Sequence, residues 1–264
     1  MTEALAPAMT PISSTAQQAE VSLANLRDLG DLPVACGTVR RHMLWRSDDI
    51  TLAPASQLTG LVELGLTTVL DLRSPGELQS TGHGPARQLG IAHHHLPLTK
   101  DTGDPAALTQ LFAAISTPEE VGDWYDRLFR AQASRLVAAL EIMAETEGGV
   151  LFHCAAGKDR TGVLAAAVLS VLGATPETIT ADYALTHTNM EAVMARLAGH
   201  GHATTPEVDI LDRFAGHPMM GAHSAAMAGM LTALEDDGGA VAVLRAAGLT
   251  DQLSTRLREK LIQQ

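Results

Sequence analysis

The stretch Val150-Leu-Phe-His153-Cys154-Ala155-Ala156-Gly157-Lys158-Asp159-Arg160-Thr161-Gly162 is compatible with very few folds. Its apolar run, Val150 to Phe152, follows the turn signal Gly148-Gly149 and reads as a short buried strand. After Gly162, the segment Val163 to Leu172 is apolar nearly all round and reads as a buried helix ended at Gly173. Between strand and helix lies a tight loop that carries a cysteine and an arginine. Several backbone N–H groups at such a turn have no intrahelical partner and can converge on an anion. The helix N-terminus adds partial positive charge, which favours a bound phosphate and a thiolate alike. Arg160 offers a planar two-pronged donor that matches two phosphate oxygens. Cys154, at the mouth of the loop, is the candidate nucleophile, and Thr161 can donate its hydroxyl to the sulfur.

Composition narrows what this loop can serve. The chain has 264 residues and a formal net charge of −12, which argues against nucleic acid as a partner and offers no general attraction to anionic membranes. Any anion site must therefore be locally positive, and Arg160 with Lys158 can make it so. Aromatic residues are scarce, at 3%, so the core must be built from Ala, Leu and Val. Cys36 and Cys154 are the chain's two cysteines. They exclude a disulfide framework and lead to the expectation of a reducing compartment, with Cys36 read as a small buried residue. No segment approaches a membrane span, and the N-terminus has neither the basic residues nor the apolar core of a signal peptide. The expected location is cytoplasmic, or secreted without a cleaved signal peptide.

Residues 1–20, rich in Ala, Thr, Ser, Pro and Gln, read as a mobile leader before one domain spanning 21–264. A short strand is expected within Val39–Asp48, a short helix from Thr59 ended by Gly65, and a β-branched strand from Thr67 into Asp71-Leu-Arg73. The strand at Ile91–Leu98 holds His93-His94-His95. Period-two alternation lets at most His93 and His95 share an ion, so the run reads as structural rather than metal-binding. Thr117 is a plausible N-cap for a helix from Pro118, and Ala131–Ala144 continues as helix. Cap and Pro signals at Thr175-Pro176 open another, and His187 to about Ala203 reads as a further helical stretch. The methionines of 217–234 read as core packing ahead of an exposed cover, and two helices close the chain.

The motif His153-Cys154-x5-Arg160-Thr161-Gly162 resembles the signature loop of the cysteine-dependent protein tyrosine phosphatase superfamily. In full, His-Cys-Ala-Ala-Gly-Lys-Asp-Arg-Thr-Gly resembles its bacterial tyrosine/lipid phosphatase family. Leu44-Trp-Arg-Ser-Asp48, the run Leu64–Glu77 and Asp182-Tyr183 extend the resemblance to roughly residues 22–262. It implies an α/β fold, protein tyrosine phosphatase-like. A small, mostly parallel central sheet of about four or five strands would be flanked by helices, with a helical lid somewhere in 185–235. It also implies hydrolysis of phosphotyrosine, extending to phosphoserine, phosphothreonine and phosphoinositides, with no metal or cofactor. Ala155, Ala156, Gly157, Lys158 and Thr161 would bind the substrate phosphate while Cys154 forms a thiophosphate. The leaving oxygen needs a proton from a carboxylic acid. The chain has no Trp-Pro-Asp tripeptide, and Trp124-Tyr125-Asp126, in its helical setting, reads as a solvated face. Asp159 and Asp71 are the family-matched carboxylates, with Asp159 slightly favoured. Lys158 would meet a second phosphate or a phosphorylated headgroup, although Ala155 stands where some lipid phosphatases have another lysine. The competing readings are a catalytically silent phosphate-binding module and a rhodanese-type sulfurtransferase. The intact Cys154 and Arg160 count against the first, and the Arg-Thr-Gly ending against the second.

Overall fold

A computed structural model describes residues 22–99, 105–199 and 216–264. The leader and part of the region read as a lid lie outside the described residues. The strands are β1 (Arg27–Asp28), β2 (Pro33–Val34), β3 (Gly37–Val39), β4 (Leu44–Ser47), β5 (Leu66–Asp71), β6 (Ala92–His95), β7 (Gly149–His153) and β8 (Ile262–Gln263). The helices are α1 (Ala55–Glu63), α2 (Pro75–Thr81), α3 (Pro105–Ala113), α4 (Pro118–Ala131), α5 (Ala133–Glu145), α6 (Asp159–Leu172), α7 (Pro176–Gly199), α8 (Ser224–Glu235), α9 (Ala240–Ala246) and α10 (Asp251–Leu261).

A five-stranded sheet in the order β1-β4-β7-β5-β6 forms the centre, parallel except for the β1–β4 pair. The apolar run of the sequence becomes β7, the middle strand, and the motif loop leaves its C-terminal end. Side chains of β7 alternate between two cores, because successive residues of a strand face opposite sides. Val150 and Phe152 join the large core packed by α4 to α6 and α8 to α10. Leu151 joins a smaller one with Trp45, Leu58, Leu61 and Val69, covered by α1. The mostly parallel, helix-flanked sheet that the resemblance implied is present. Helix α6 sits inside the larger core: all its residues except Asp159, Arg160 and Ser170 are buried. It ends at Gly173 in the left-handed conformation (φ 85°), as an apolar helix stopped by glycine should.

Three details depart from the sequence reading. A second, antiparallel sheet β2-β3-β8 ties the N-terminal part to the chain's end; strands this short show no periodicity in sequence. Cys36, expected to be buried, is exposed, because it lies in the turn between β2 and β3 rather than in a strand. Helix α7 runs unbroken through His187, where the sequence showed two stretches. The methionines do pack inward: Met227 and Met230 are fully buried on α8, which lies against α4.

Candidate active site

At the end of β7 the chain turns through Cys154, Ala155, Ala156, Gly157 and Lys158 and enters α6 at Asp159. Every carbonyl in this turn is engaged. The Cys154 carbonyl meets His153 Nδ1 at 3.2 Å, and the Ala155 carbonyl accepts from the Asp49 amide at 2.9 Å. Asn25 Nδ2 donates to both Ala156 and Gly157 at 3.1 Å, and Arg46 Nη2 adds a bond to Gly157 at 2.9 Å. The Lys158 carbonyl takes the first helical bond, from the Gly162 amide. With the carbonyls turned to these partners, the amides of Ala155, Ala156, Gly157 and Lys158 meet no acceptor among the described residues. A row of N–H groups at a helix start is a nest for an anion. The geometry requires glycine at 157: φ is +66°, and a Cβ there would lie 2.5 Å from the Ser47 carbonyl oxygen.

The partners behind the turn are themselves held. Asp182 of α7 accepts from Arg46 Nη1 at 2.5 Å and Arg27 Nε at 2.8 Å, and Arg27 Nη1 also reaches Asn25 Oδ1 at 2.6 Å. Burial pushes the Asp182 carboxyl up, but the two guanidinium groups outweigh it and leave the acid ionised. Arg196, from the same helix, pairs with Asp48.

Inside the loop, Cys154 is nearly buried, and Thr161 Oγ1 donates to its sulfur at 3.2 Å. Arg160 makes a two-pronged ion pair with Glu77, Nη1 to Oε2 at 2.5 Å and Nη2 to Oε1 at 2.8 Å. Thr99 Oγ1 is 3.4 Å from Nη1. Of the five guanidinium hydrogens, the one on Nε and one on Nη2 remain without partners among the described residues, and these form a fork that matches two phosphate oxygens. Glu77 is fixed in turn by a capping box: Ser74 Oγ accepts from the Glu77 amide, and the Ser74 amide donates to Glu77 Oε2 at 2.7 Å. Burial raises the Glu77 carboxyl, yet Arg160 and Ser74 together bring it down to about 2.

The two candidate acids occupy different settings. Asp71, at the end of β5 beside His153, is fully buried. Both its oxygens face Arg73, Oδ1 to Nε at 2.9 Å and Oδ2 to Nη2 at 2.7 Å, with His93 Nε2 3.4 Å from Oδ2. Burial opposes ionisation, but His93 and Arg73 prevail and hold this carboxyl well below the usual range. Arg73 also reaches Asp49 Oδ2 at 2.9 Å, so the group braces the back of the loop. His153 sits between Asp49 and Asp71, and burial pushes its imidazole toward the neutral form. Asp159 lies in the first turn of α6 with its side chain 24% exposed. Its Oδ1 accepts from Tyr125 Oη and from Lys158 Nζ, each at 2.5 Å. Lys158 is buried rather than solvated, and burial, which disfavours its charge, is outweighed by Asp159. Tyr125 is also buried, correcting the solvated-face reading of its segment, while Asp126 pairs with Arg130.

The structure thus brings Cys154, Ala155, Ala156, Gly157, Lys158, Asp159, Arg160 and Thr161 into one turn and leaves Asp71 behind it. Sequence reasoning missed Asn25, Asp49, Glu77 and Tyr125. For Glu77 there was a signal, the Ser-x-x-Glu box after a strand. Among the histidines, His95 Nε2 meets the Arg73 carbonyl at 2.8 Å, so His93 and His95 both serve the Asp71–Arg73 pair.

Comparison with known proteins agrees with this geometry. The chain is 32% identical over 217 residues, 78% of each chain, to a protein of Cupriavidus necator assigned to the tyrosine-protein phosphatases. It is 29% identical over 198 residues to the triple specificity protein phosphatase PtpB of Mycobacterium tuberculosis, covering 66% of this chain and 70% of that one. A tyrosine-protein phosphatase of Nostoc commune is 27% identical over 225 residues, 82% and 73% of the two chains. Residues 20–263 match the family model of the tyrosine phosphatases, and the chain belongs to the tyrosine phosphatase family.

Proposed function

We propose that this chain hydrolyses phosphotyrosine through a thiophosphate on Cys154, and that the same loop accepts phosphoserine, phosphothreonine and phosphoinositides. The observation that carries the reading is the turn itself. Its carbonyls are engaged at the back, its amides are left for an anion, and a nucleophilic sulfur and a held arginine fork stand beside them. Cys154 attacks phosphorus in line while the loop amides and Arg160 hold the equatorial oxygens, where transition-state charge is spread. Thr161 steadies the sulfur as nucleophile and again as leaving group when water opens the thiophosphate.

For the acid, the settings favour Asp159 over Asp71. Asp71 is committed on both oxygens to Arg73 and has no proton to give, whereas Asp159 is part-exposed at the loop and uses one oxygen for its partners. We assign Lys158 to Asp159 rather than to a second substrate phosphate, because its ammonium is buried there. Breadth of substrate then rests on the relative named for triple specificity, and phosphotyrosine is the primary expectation.

The test is hydrolysis of a phosphotyrosine peptide and of monophosphorylated phosphoinositides, in EDTA, by wild type and Cys154→Ser. Turnover that survives the chelator and is lost in the serine variant supports the mechanism. A folded wild-type protein that turns over neither substrate would leave only a phosphate-binding module.

A further inference from the structure

Both tyrosines of this chain lie in one hydrogen-bond chain, in which Tyr183 meets Tyr125 and Tyr125 meets the Asp159 carboxylate. Tyr125 comes from α4 and Tyr183 from α7, so two separate helices deliver them to the start of α6. Their rings meet edge to face, with centroids 5.8 Å apart, and their hydroxyls are 2.7 Å apart. Both rings are buried in an otherwise apolar cluster. Phenylalanine would fill that space at no polar cost, whereas a buried hydroxyl needs a partner.

The hydrogen-bond directions are determined by counting. Tyr125 has one hydroxyl hydrogen, and it goes to Asp159 Oδ1. The contact between the tyrosines must then use the Tyr183 hydrogen, with Tyr125 Oη accepting. Lys158 Nζ, 3.4 Å from Tyr125 Oη and 2.5 Å from Asp159 Oδ1, donates to both. Oδ1 therefore has two donors on its two lone pairs, whereas Oδ2 has no partner among the described residues. When Asp159 is protonated, its proton has to sit on Oδ2. After that proton is given up, the negative charge is met at Oδ1 by donors already in place, without reorganisation.

We infer that Tyr125, backed by Tyr183, is a positioning residue for proton transfer: it fills one side of Asp159 Oδ1 and so confines the transferable proton to Oδ2. This rests on Asp159 being the acid. The proton passes from Oδ2 to the oxygen of the departing phenolate as the bond to phosphorus breaks and the Cys154–phosphorus bond forms. The carboxylate that remains takes a proton from water in the second step, as hydroxide displaces the sulfur. Burial holds the Tyr125 hydroxyl in its neutral form throughout, so it keeps the hydrogen that it donates to Asp159.

The experiment compares two substrates across Tyr125→Phe, Tyr183→Phe and Asp159→Asn, reading the single-turnover rate at which the phenol leaves, which reports thiophosphate formation alone. Phosphotyrosine peptide has a leaving group that needs a proton, and 2,4-dinitrophenyl phosphate has one that does not. Asp159→Asn should lose about a hundredfold or more in this first-step rate on the peptide, within the usual range for general acid catalysis, and change little on the activated ester. Tyr125→Phe should lower this first-step rate on the peptide about tenfold with KM unchanged, spare the activated ester, and leave the urea midpoint near wild type. Tyr183→Phe should do the same more weakly. Equal losses on both substrates in Tyr125→Phe, or none, would overturn the inference while a selective loss in Asp159→Asn keeps the acid in place. If Asp159→Asn itself slows both substrates equally, the acid assignment fails and the inference with it.

Discussion

Replacing Glu77 with glutamine removes one charge from the pair that fixes Arg160 and leaves the shape of the side chain intact. The carboxyl lies near 2 in the folded protein against an ordinary 4.5, a gap that corresponds to about 3 kcal/mol of stability at pH 7. Because Glu77 is 29% exposed, water screens the pair and that value is an upper figure. The folded-state value is depressed, so the contribution is complete above 4.5 and fades as the pH falls toward 2. By linkage, about 2 kcal/mol should remain at pH 3.5. Urea unfolding of wild type and Glu77→Gln at both pH values, without phosphate, measures this directly. The gap between the two proteins should be at most about 3 kcal/mol at pH 7 and about 1 kcal/mol smaller at pH 3.5. The same variant should lose about tenfold in kcat/KM on a phosphotyrosine peptide, because a guanidinium that swings freely must be ordered in every turnover. A stability gap that is the same at both pH values, or below about 0.5 kcal/mol at pH 7, would refute the reasoning, since Glu77 would then not act through its charge.

Gly157→Ala forces a side chain into the left-handed region and against the Ser47 carbonyl; a loss of about 2 kcal/mol in urea and at least tenfold weaker inhibition by orthovanadate are expected. Asp71→Asn leaves buried Arg73 with Asp49 as its carboxylate partner. It should cost about 2 kcal/mol at pH 7, read from the urea midpoint, because a buried guanidinium loses one charged hydrogen-bond partner. Thr161→Val removes the hydroxyl that donates to Cys154 and should slow alkylation of that cysteine by iodoacetamide at pH 7 by about threefold to tenfold, with the fold unchanged.

What the sequence made legible was the part whose chemistry is local. The loop, its strand and its helix are contiguous, so apolar runs, glycines and a cysteine–arginine spacing sufficed to place them. Thr117 was identifiable as a cap because a capping box is complete within four residues, and Glu120 supplies its other half. Asn25 and Asp49 were not identifiable, and at Glu77 the capping box was legible but its ion pair was not, because each acts on a residue more than eighty positions away. The burial of Lys158 was not legible either. A lysine in a polar loop is ordinarily solvated, and only the helices α4 and α7, brought in from either side, make its site a buried one. Trp124-Tyr125-Asp126 reads as a solvated face from its helical setting, yet neighbours on a helix point in different directions, and of the three Tyr125 alone turns fully inward.

The ion pairs around the loop share a pattern with a kinetic consequence. Arg27 and Arg46 are matched by Asp182, Arg73 by Asp49 and Asp71, Arg196 by Asp48, Arg160 by Glu77 and Lys158 by Asp159. Each cation that braces the site thus has a carboxyl group next to it, and the chain as a whole has a net charge of −12. The pull on phosphate must come from oriented amides, a helix start and one guanidinium fork, all of which act at hydrogen-bond distance. Long-range steering of an anionic substrate is then absent, and the field of the whole molecule repels it. Raising the ionic strength from about 0.01 M to 0.1 M shortens the screening length from about 30 Å to about 10 Å and weakens that repulsion without touching the contacts inside the loop. For an acidic phosphotyrosine peptide, kcat/KM should therefore rise with salt over this range, by about twofold or more, while kcat stays level. A steep fall in kcat/KM would mean that the site draws its substrate through net positive charge, and that the pairing of these cations does not govern how phosphate is gathered.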